Sequence, residues 1–278
     1  MVYLLLAIAS SALVSIIMRL STDRVTQNVG MLAMNYLTCL LMAAVYAGLD
    51  ALAPSVPSLP ATVGMGAVHG ALYLASFVLF QVNVQKNGVV LSATFMKLGL
   101  LVPIAVSVLF FGEKPKLLQI IGFIAAIAAI VLINRGKDSG AVHSRAGLLL
   151  LLIGGGCADV MAKVFEELGD RTLSDQFLLY TFVFALLLCL ALMLYKKQRP
   201  GAPELFWGFL IGIPNFFSAK FLLRALDSVS AVIAYPTYSV ATLLVITLSG
   251  VLLFRERLGR QQWLALGIIL AALCLLNL

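Results

Sequence analysis

The chain has few charged residues: lysine, arginine, aspartate and glutamate together make up only 11% of its 278 positions. A soluble domain of this length carries about a quarter charged residues. Hydrophobic residues make up 62% of the chain, and its mean hydropathy is +1.06. Because a soluble fold cannot bury so much apolar surface, these proportions exclude an ordinary water-soluble domain and indicate a protein whose solvent is lipid.

Residues that hold metals or carry out catalysis are also scarce. The four cysteines lie within apolar runs without metal-ligand spacing, so we interpret them as packing residues and expect no metal site and no cofactor. The histidines are His69 and His143, and neither belongs to a His-Glu-x-x-His motif. No Gly-x-Ser-x-Gly elbow or phosphate-binding loop occurs. The sequence therefore argues against an enzyme and against direct drive by ATP.

Long apolar runs are abundant. A membrane-spanning helix needs about 20 apolar residues, and the runs lack the period-two alternation of a membrane barrel. We therefore predict an all-α, multi-pass integral membrane protein. Its ten predicted helices occupy residues 2–18, 29–49, 61–81, 88–111, 117–134, 146–166, 176–195, 205–223, 228–254 and 261–278.

The second half of the sequence repeats features of the first. Identical residues recur at a constant separation of 143 positions: Phe111 and Phe254, Glu113 and Glu256, Gln119 and Gln262. We therefore predict two five-helix domains, 1–137 and 138–278. Because five is odd, the second must be inverted relative to the first. Inverted repeats are common in secondary transporters, which bind substrate where the repeats meet.

The strongest repeated motif is FGEKPKLLQIIG at 111–122 and FRERLGRQQWLA at 254–265. This motif resembles the EamA-type repeat of the drug/metabolite transporter superfamily, and the resemblance covers the whole chain. It implies a ten-helix membrane carrier, for which we expect a bacterial cytoplasmic membrane location. Members of the superfamily move amino acids, sugars, nucleotide sugars, cations and drugs, so the resemblance leaves the substrate open.

The loops give conflicting information on orientation. Ten helices place both termini on one side of the membrane. Lysine and arginine are concentrated in the loops after odd-numbered helices, and the positive-inside rule puts that side in the cytoplasm. The resemblance instead implies cytoplasmic termini, so the absolute orientation stays open. The net charge of +7 fits membrane-facing loops and does not indicate a nucleic-acid partner.

Lys97 is the most informative charge in the sequence, because it stands in the otherwise uncharged run 88–111. It lies about nine residues into the run, or roughly 12–13 Å from the near end. A lysine stem is too short to cover that distance. We therefore predict that Lys97 faces an aqueous cavity, where it binds an anionic group of a substrate or serves in coupling. The alternatives are a partial extension toward the interface and a structural hydrogen bond.

Four further charged residues are candidates for coupling or gating. Asp159 and Lys163 are four positions apart on one helical face, where they form either an ion pair or a proton-linked gate. Arg19 pairs with Lys163 at a repeat separation of 144 positions. Lys220 lies near the end of its helix, and we expect its ammonium group to extend to the interface.

Polar side chains within the apolar runs supply the other candidate substrate ligands. We select His69, Tyr73, Asn215, Tyr235, Thr237 and Tyr238, with Asn35 and Tyr36 as weaker candidates. The alternative for His69 is a packed, hydrogen-bonded core histidine. Pro214 and Pro236 adjoin these residues, and each proline frees a backbone carbonyl. Glu113 and Glu256 are expected to serve the N-termini of the fifth and tenth helices.

We therefore predict a secondary active transporter of a small polar metabolite, anionic or zwitterionic, such as an amino acid or an organic or phosphorylated acid. The expected partners are that solute, a coupling proton or counter-substrate, and the lipid bilayer. A monomer suffices, and a dimer stays open. A multidrug or cation exporter is the alternative, with Asp159 as its carboxylate. A membrane scaffold without transport is a more remote one.

Overall fold

The computed structural model describes residues 1–21, 24–48, 51–87, 95–96, 98–133, 145–254, 264, 267–268, 270–272 and 274–275. All regular structure in this part of the chain is helical. The α-helices are α1 (Val2–Ser21), α2 (Asn28–Ala47), α3 (Leu59–Asn87), α4 (Leu101–Phe110), α5 (Leu117–Ile133), α6 (Arg145–Leu168), α7 (Ser174–Tyr195), α8 (Ala202–Leu226) and α9 (Ala231–Phe254), and a short 3₁₀ helix, Arg171–Leu173, precedes α7.

These helices confirm the predicted all-α membrane fold. Each coincides with one of the first nine apolar runs, while residues 88–94 and Lys97 of the fourth run lie outside the described residues. The described residues of the tenth run are helical. Within the described residues, five helices are long and apolar enough to cross a membrane: Asn28–Ala47, Leu59–Phe80, Ala146–Leu168, Arg171–Tyr195 and Ala202–Leu226.

Large apolar side chains cover the outer faces of several helices. Leu109 and Phe110 at the end of α4, Leu149 on α6 and Leu252 on α9 are all exposed. Exposed apolar surface on this scale is unfavourable in water but suits a helix in contact with lipid.

The chain divides into two compact units that each draw on both halves of the sequence. The first unit contains residues 1–74 and 164–225, and the second contains 75–163 and 226–278. The compact units therefore do not follow the chain order. The predicted division at 137/138 remains a prediction about how the sequence repeats.

Small residues set the packing inside the first unit. A Cβ placed on Gly208 or Gly212 of α8 would meet the backbone of α2, at the Met31 and Asn35 carbonyls respectively. A Cβ on Gly70 of α3 would collide with the Thr181 carbonyl on α7. Glycines at these positions let the helix backbones approach closely, which is a common mode of helix packing in membranes.

Glycine also allows close packing in the second unit, where α6 meets the residues just before α4. A Cβ on Gly156 would lie 2.5 Å from both the Gly99 carbonyl oxygen and Cγ2 of Val102. Gly154, on another side of α6, faces Leu79 of α3. Helix α9 packs against α4 and α5 in this unit. Gly154 and Gly156 therefore allow close packing on two sides of α6.

Candidate functional site

A hydrogen-bonded polar network crosses the interior of the first unit and joins α3, α8 and α2. The Tyr73 hydroxyl donates to Oδ1 of Asn215 over 2.9 Å. Nδ2 of Asn215 donates in turn to Oδ1 of Asn35 over 3.1 Å. Both asparagines are almost completely buried. The protons are donated in one direction, so the network leads from Tyr73 to Asn35.

Nδ2 of Asn35 ends this network. It is buried and finds no hydrogen-bond partner among the described residues. Leaving a buried donor unsatisfied costs about 1–3 kcal/mol, which is a substantial penalty for one group. Buried polar groups are nearly always paired, so this amide is an exception that needs a physical reason.

The approach of α8 to α2 positions the two asparagines. Gly212 lies one turn before Asn215, and its carbonyl accepts from Sγ of Cys39 over 3.3 Å. Cys39 follows Asn35 by four residues, hence on the same face of α2. Pro214 immediately precedes Asn215 and has no N–H, so it leaves a carbonyl of the preceding turn without its usual helical donor.

His69 occupies a neighbouring part of the same unit, on the face of α3 that carries Tyr73. Its Nδ1 lies 3.2 Å from Oγ1 of Thr181 on α7. The Thr181 hydroxyl donates its single proton to the Phe177 carbonyl over 2.8 Å, so it must accept from His69. Nδ1 therefore carries the proton in the neutral ring.

Aromatic rings hold this histidine in place. The His69 ring stacks on Phe177, with centroids 5.2 Å apart and planes within 2° of parallel. Phe177 stacks in turn on Phe165 at 4.1 Å. The Tyr73 ring meets His69 edge-on at 5.7 Å. His69 is therefore a packed, hydrogen-bonded residue of the kind weighed as its alternative, and it orients the tyrosine that starts the network.

The second unit contains the remaining polar candidates, on α9. The Tyr235 hydroxyl donates to the Asp159 carbonyl on α6 over 2.7 Å. Oγ1 of Thr237 is buried and has no hydrogen-bond partner in the part of the chain that the structure describes. Tyr238 is half-buried two residues after Pro236.

Glu113 joins three elements of the second unit. Its Oε1 accepts from the Ala231 amide over 3.1 Å, and its Oε2 accepts from the Val232 amide over 3.0 Å. Nζ of Lys163 lies 3.0 Å from Oε1, and both side chains are largely buried. The carboxylate thus binds the N-terminus of α9, where the helix dipole favours negative charge.

This arrangement corrects the prediction that Glu113 serves the fifth helix. The start of α5 is served instead by Gln119, whose Oε1 accepts from the Lys116 amide over 2.9 Å. Glu113 turns toward α9 because that helix packs against α4 and α5. The pairing of Lys163 with Asp159 stays a prediction, whereas the contact with Glu113 was not foreseen.

Lys220 ends in a cluster of partners in the first unit. Its Nζ lies 2.8 Å from Oδ1 of Asp175 in the first turn of α7. The same ammonium lies 3.7 Å from the ring centroid of Tyr46 on α2. Only 11% of the side chain is exposed. The ammonium group is therefore held by a carboxylate and an aromatic face, and its expected extension to the interface stays a prediction.

Asp170 stabilises the short connection between α6 and α7. Its carboxylate accepts from the Thr172 hydroxyl and amide and, over 2.7 Å, from the Ser58 hydroxyl at the start of α3. These hydrogen bonds to Thr172 and Ser58 lower the pKa of Asp170 below its ordinary value. The cluster thus joins the α6–α7 connection to the start of α3 in the first unit.

Two predicted site residues fall on parts that the structure does not describe. Lys97 lies outside the described residues, as does the side chain of Arg19. Among the described residues, no group of three or more histidine, cysteine, aspartate or glutamate side chains could hold a metal ion.

The sequence profile of a transporter family matches the chain twice, at residues 1–135 and 145–278, and thus covers nearly its whole length. The chain belongs to the EamA-like transporter family. This places it among multi-pass integral membrane transporters of the drug/metabolite type. The two matched segments agree with the repeat predicted from the 143-residue spacing.

Two further comparisons extend over nearly the whole EamA chain. An uncharacterized protein of Haemophilus influenzae is 24% identical over 284 residues, covering 97% of this chain and 95% of the relative. A solved crystal structure superposes with a TM-score of 0.72 at 13% identity, covering 99% of this chain and 94% of the other. At that identity the superposition establishes a shared fold.

Proposed function

We propose that this EamA protein is a secondary active transporter of a small polar metabolite, anionic or zwitterionic, that works by alternating access between its two inverted repeats. The observation that carries the proposal is the buried network of Tyr73, Asn215 and Asn35. Polar side chains are costly at this depth in apolar helices and commonly mark a substrate path. A scaffold would gain nothing from an unsatisfied amide there.

Lys97 supplies the preference for an anionic group in this proposal. The sequence places its ammonium deep in an apolar run, where it needs an aqueous cavity or a negatively charged partner. The multidrug or cation exporter is the competing function, and it would depend on a carboxylate such as Asp159. The two functions therefore differ in which charged side chain a substrate needs.

Helix α9, whose N-terminus Glu113 binds, is the moving element in this proposal. Helix α9 begins at the amides held by Glu113 and contains Pro236 within its first two turns. Proline removes one helical hydrogen bond, and the helix can bend there at low cost. We propose that α9 bends at Pro236 while its N-terminus stays bound to Glu113, so that Tyr235 and Thr237 change surroundings during transport.

The bilayer in which this transporter acts is proposed to be a bacterial cytoplasmic membrane. The bacterial source of the full-length relative supports this location. The proposed coupling partner is a proton or a counter-substrate, and one chain contains both repeats needed for a complete pathway.

Uptake into proteoliposomes tests the proposal. The purified protein is reconstituted, and entry of radiolabelled amino acids, organic acids and organic cations is followed with and without an imposed pH gradient. We expect wild type to take up an anion or zwitterion, and Asn215→Leu to lose that uptake.

Asn83→Leu is the matched control, because Asn83 is an equally buried helical asparagine that donates to the Leu79 and Gly147 carbonyls in the second unit. It should retain uptake per folded molecule. Uptake of cations alone, or equal loss of uptake in both variants, would contradict the proposal.

A further inference from the structure

The buried network of the first unit has a direction. Tyr73 donates to Asn215, and Asn215 donates to Asn35, which leaves an amide N–H of Asn35 as the last donor. In a hydrogen-bond chain each donation polarises the next group, so the final N–H is a stronger donor than an isolated amide. A strengthened donor favours an acceptor that carries negative charge.

That last donor has no acceptor among the residues that the structure describes. Asn35 is 1% exposed, and its Nδ2 is unpaired in the described part of the chain. The asparagine is held at its other end, because Oδ1 accepts from Asn215 and Cys39 lies beside it on α2. The side chain is therefore fixed in orientation while its N–H is unsatisfied, as expected for a preorganised ligand-binding group.

The chemistry of the network also limits what the N–H can bind. Its described members are a phenol, two amides and a thiol, and among these residues there is no carboxylate that could attract a cation. Its terminal group is a donor, which a quaternary ammonium or another cationic head group cannot satisfy. A carboxylate oxygen satisfies it best.

We propose that Nδ2 of Asn35 binds a carboxylate oxygen of the transported metabolite, at the end of the hydrogen-bond relay that begins at Tyr73. The inference rests on the proposed transport function and names the substrate group that the first unit recognises. Asn35 is then a specificity-determining residue. Tyr73 and Asn215 are positioning residues, because they act on the substrate through Asn35.

Asn35→Asp tests this inference with little change in shape. The aspartate keeps an oxygen to accept from Asn215, but it replaces the unpaired NH2 group by a second oxygen and adds a negative charge that repels a carboxylate. Binding is measured by calorimetry and thermal shift on the detergent-purified full chain. The probes are matched pairs that differ in one group: L-lactate and L-lactamide, succinate and succinamide, L-alanine and L-alaninamide.

We expect wild type to bind at least one carboxylate and to discriminate against its amide. Asn35→Asp should bind that carboxylate about 10- to 100-fold more weakly, as expected for a hydrogen bond to a charged group. The affinity for the matching amide probe should fall less, because the N–H of that probe can donate to the new aspartate oxygen. The preference for carboxylate over amide should therefore shrink or reverse.

Asn83→Asp is the matched control, since both protons of that buried amide are already donated to backbone carbonyls. It should lower thermal stability and leave the carboxylate affinity of the folded protein unchanged. Tyr73→Phe is a second test that keeps Asn35 intact and shortens the relay. It should weaken carboxylate binding by a smaller factor, about two- to fivefold.

Two results would overturn the inference. In the first, no carboxylate binds wild type, or only amides or cations do. In the second, Asn35→Leu is more stable than wild type and binds the carboxylate equally well, so that the unpaired amide is merely a packing cost. Uptake of a cation or an amide into proteoliposomes would then preserve transport while excluding carboxylate recognition. Binding of a carboxylate without uptake would instead support carboxylate recognition and contradict the proposed transport function.

Discussion

Tyr73 and Asn215 are joined by a 2.9 Å hydrogen bond that connects α3 to α8 inside the first unit. The two residues are 142 positions apart in the chain. Their contact brings a polar residue of the first sequence half against one of the second half. The candidate substrate site is therefore built from both halves.

The first prediction concerns this hydrogen bond. Tyr73→Phe removes the donor and leaves the Asn215 oxygen buried without it, so we expect a stability loss of about 1–3 kcal/mol. In the double variant with Asn215→Leu the tyrosine deletion should cost less, because the acceptor is already gone. Unfolding of the four proteins in mixed micelles measures this coupling. Additive losses would show that the hydrogen bond contributes nothing to stability.

The second prediction concerns the buried ion pair of Glu113 and Lys163. Lys163→Met leaves the Glu113 carboxylate buried without its cation, and we expect a loss of about 3–5 kcal/mol in unfolding free energy. Glu113→Gln in the same chain should recover part of that loss, because a neutral amide needs no counter-ion. Lys196→Met is the control at an exposed lysine and should change stability by less than about 0.5 kcal/mol.

An equal loss in Lys163→Met and in the double variant would contradict the ion-pair account. It would mean that Lys163 stabilises the unit by packing alone. The Phe111 ring, whose centroid lies 5.9 Å from the Lys163 ammonium, would then be a contact to examine.

The third prediction compares two glycines on α3. Gly70→Ala places a methyl group against the Thr181 carbonyl, so α3 and α7 must separate and the apparent melting temperature should fall by several degrees. Gly64→Ala is the control, because nothing lies within 4 Å of its added Cβ. That variant should be as stable as wild type or slightly more so. Equal melting temperatures would contradict the close packing of α3 on α7.

The fourth prediction concerns acid stability at Asp170. Its pKa is lowered in the folded state by hydrogen bonds to Thr172 and Ser58. A lowered folded pKa means that the charged carboxylate stabilises the fold above the ordinary carboxyl pKa, and that this contribution is lost as pH falls through the lowered value.

Stability curves of wild type and Asp170→Asn should therefore differ by a constant amount at neutral pH and converge below about pH 4. Melting temperatures measured from pH 7 downward check this. Curves that diverge as pH falls would contradict a lowered pKa for Asp170 in the folded state.

The sequence predicted the helices well because each apolar run is a local property. The sequence also placed His69 and Tyr73 on one helical face, since residues four apart share a face. It singled out Asn215 because that residue follows a proline. These three residues lie in one unit. Tyr73 contacts both of the others: its ring packs against His69, and its hydroxyl donates to Asn215.

The partners of the charged residues could not be predicted, because they depend on which helices become neighbours. Lys163 meets Glu113 from a different part of the chain, and Lys220 meets Asp175 near the start of another helix. For the same reason, the sequence made Asn35 only a weaker candidate ligand. Nothing local shows that Gly212 allows α8 to approach α2 at that position.

The most direct test of the account is counterflow. Proteoliposomes are loaded with an unlabelled carboxylate that binds in the calorimetric panel, and entry of the labelled compound is measured. The account predicts transient accumulation by wild type and by Asn83→Asp, and strongly reduced accumulation by Asn35→Asp and Lys97→Gln. If no carboxylate exchanges, or if an organic cation exchanges equally well through wild type and Lys97→Gln, the account is contradicted.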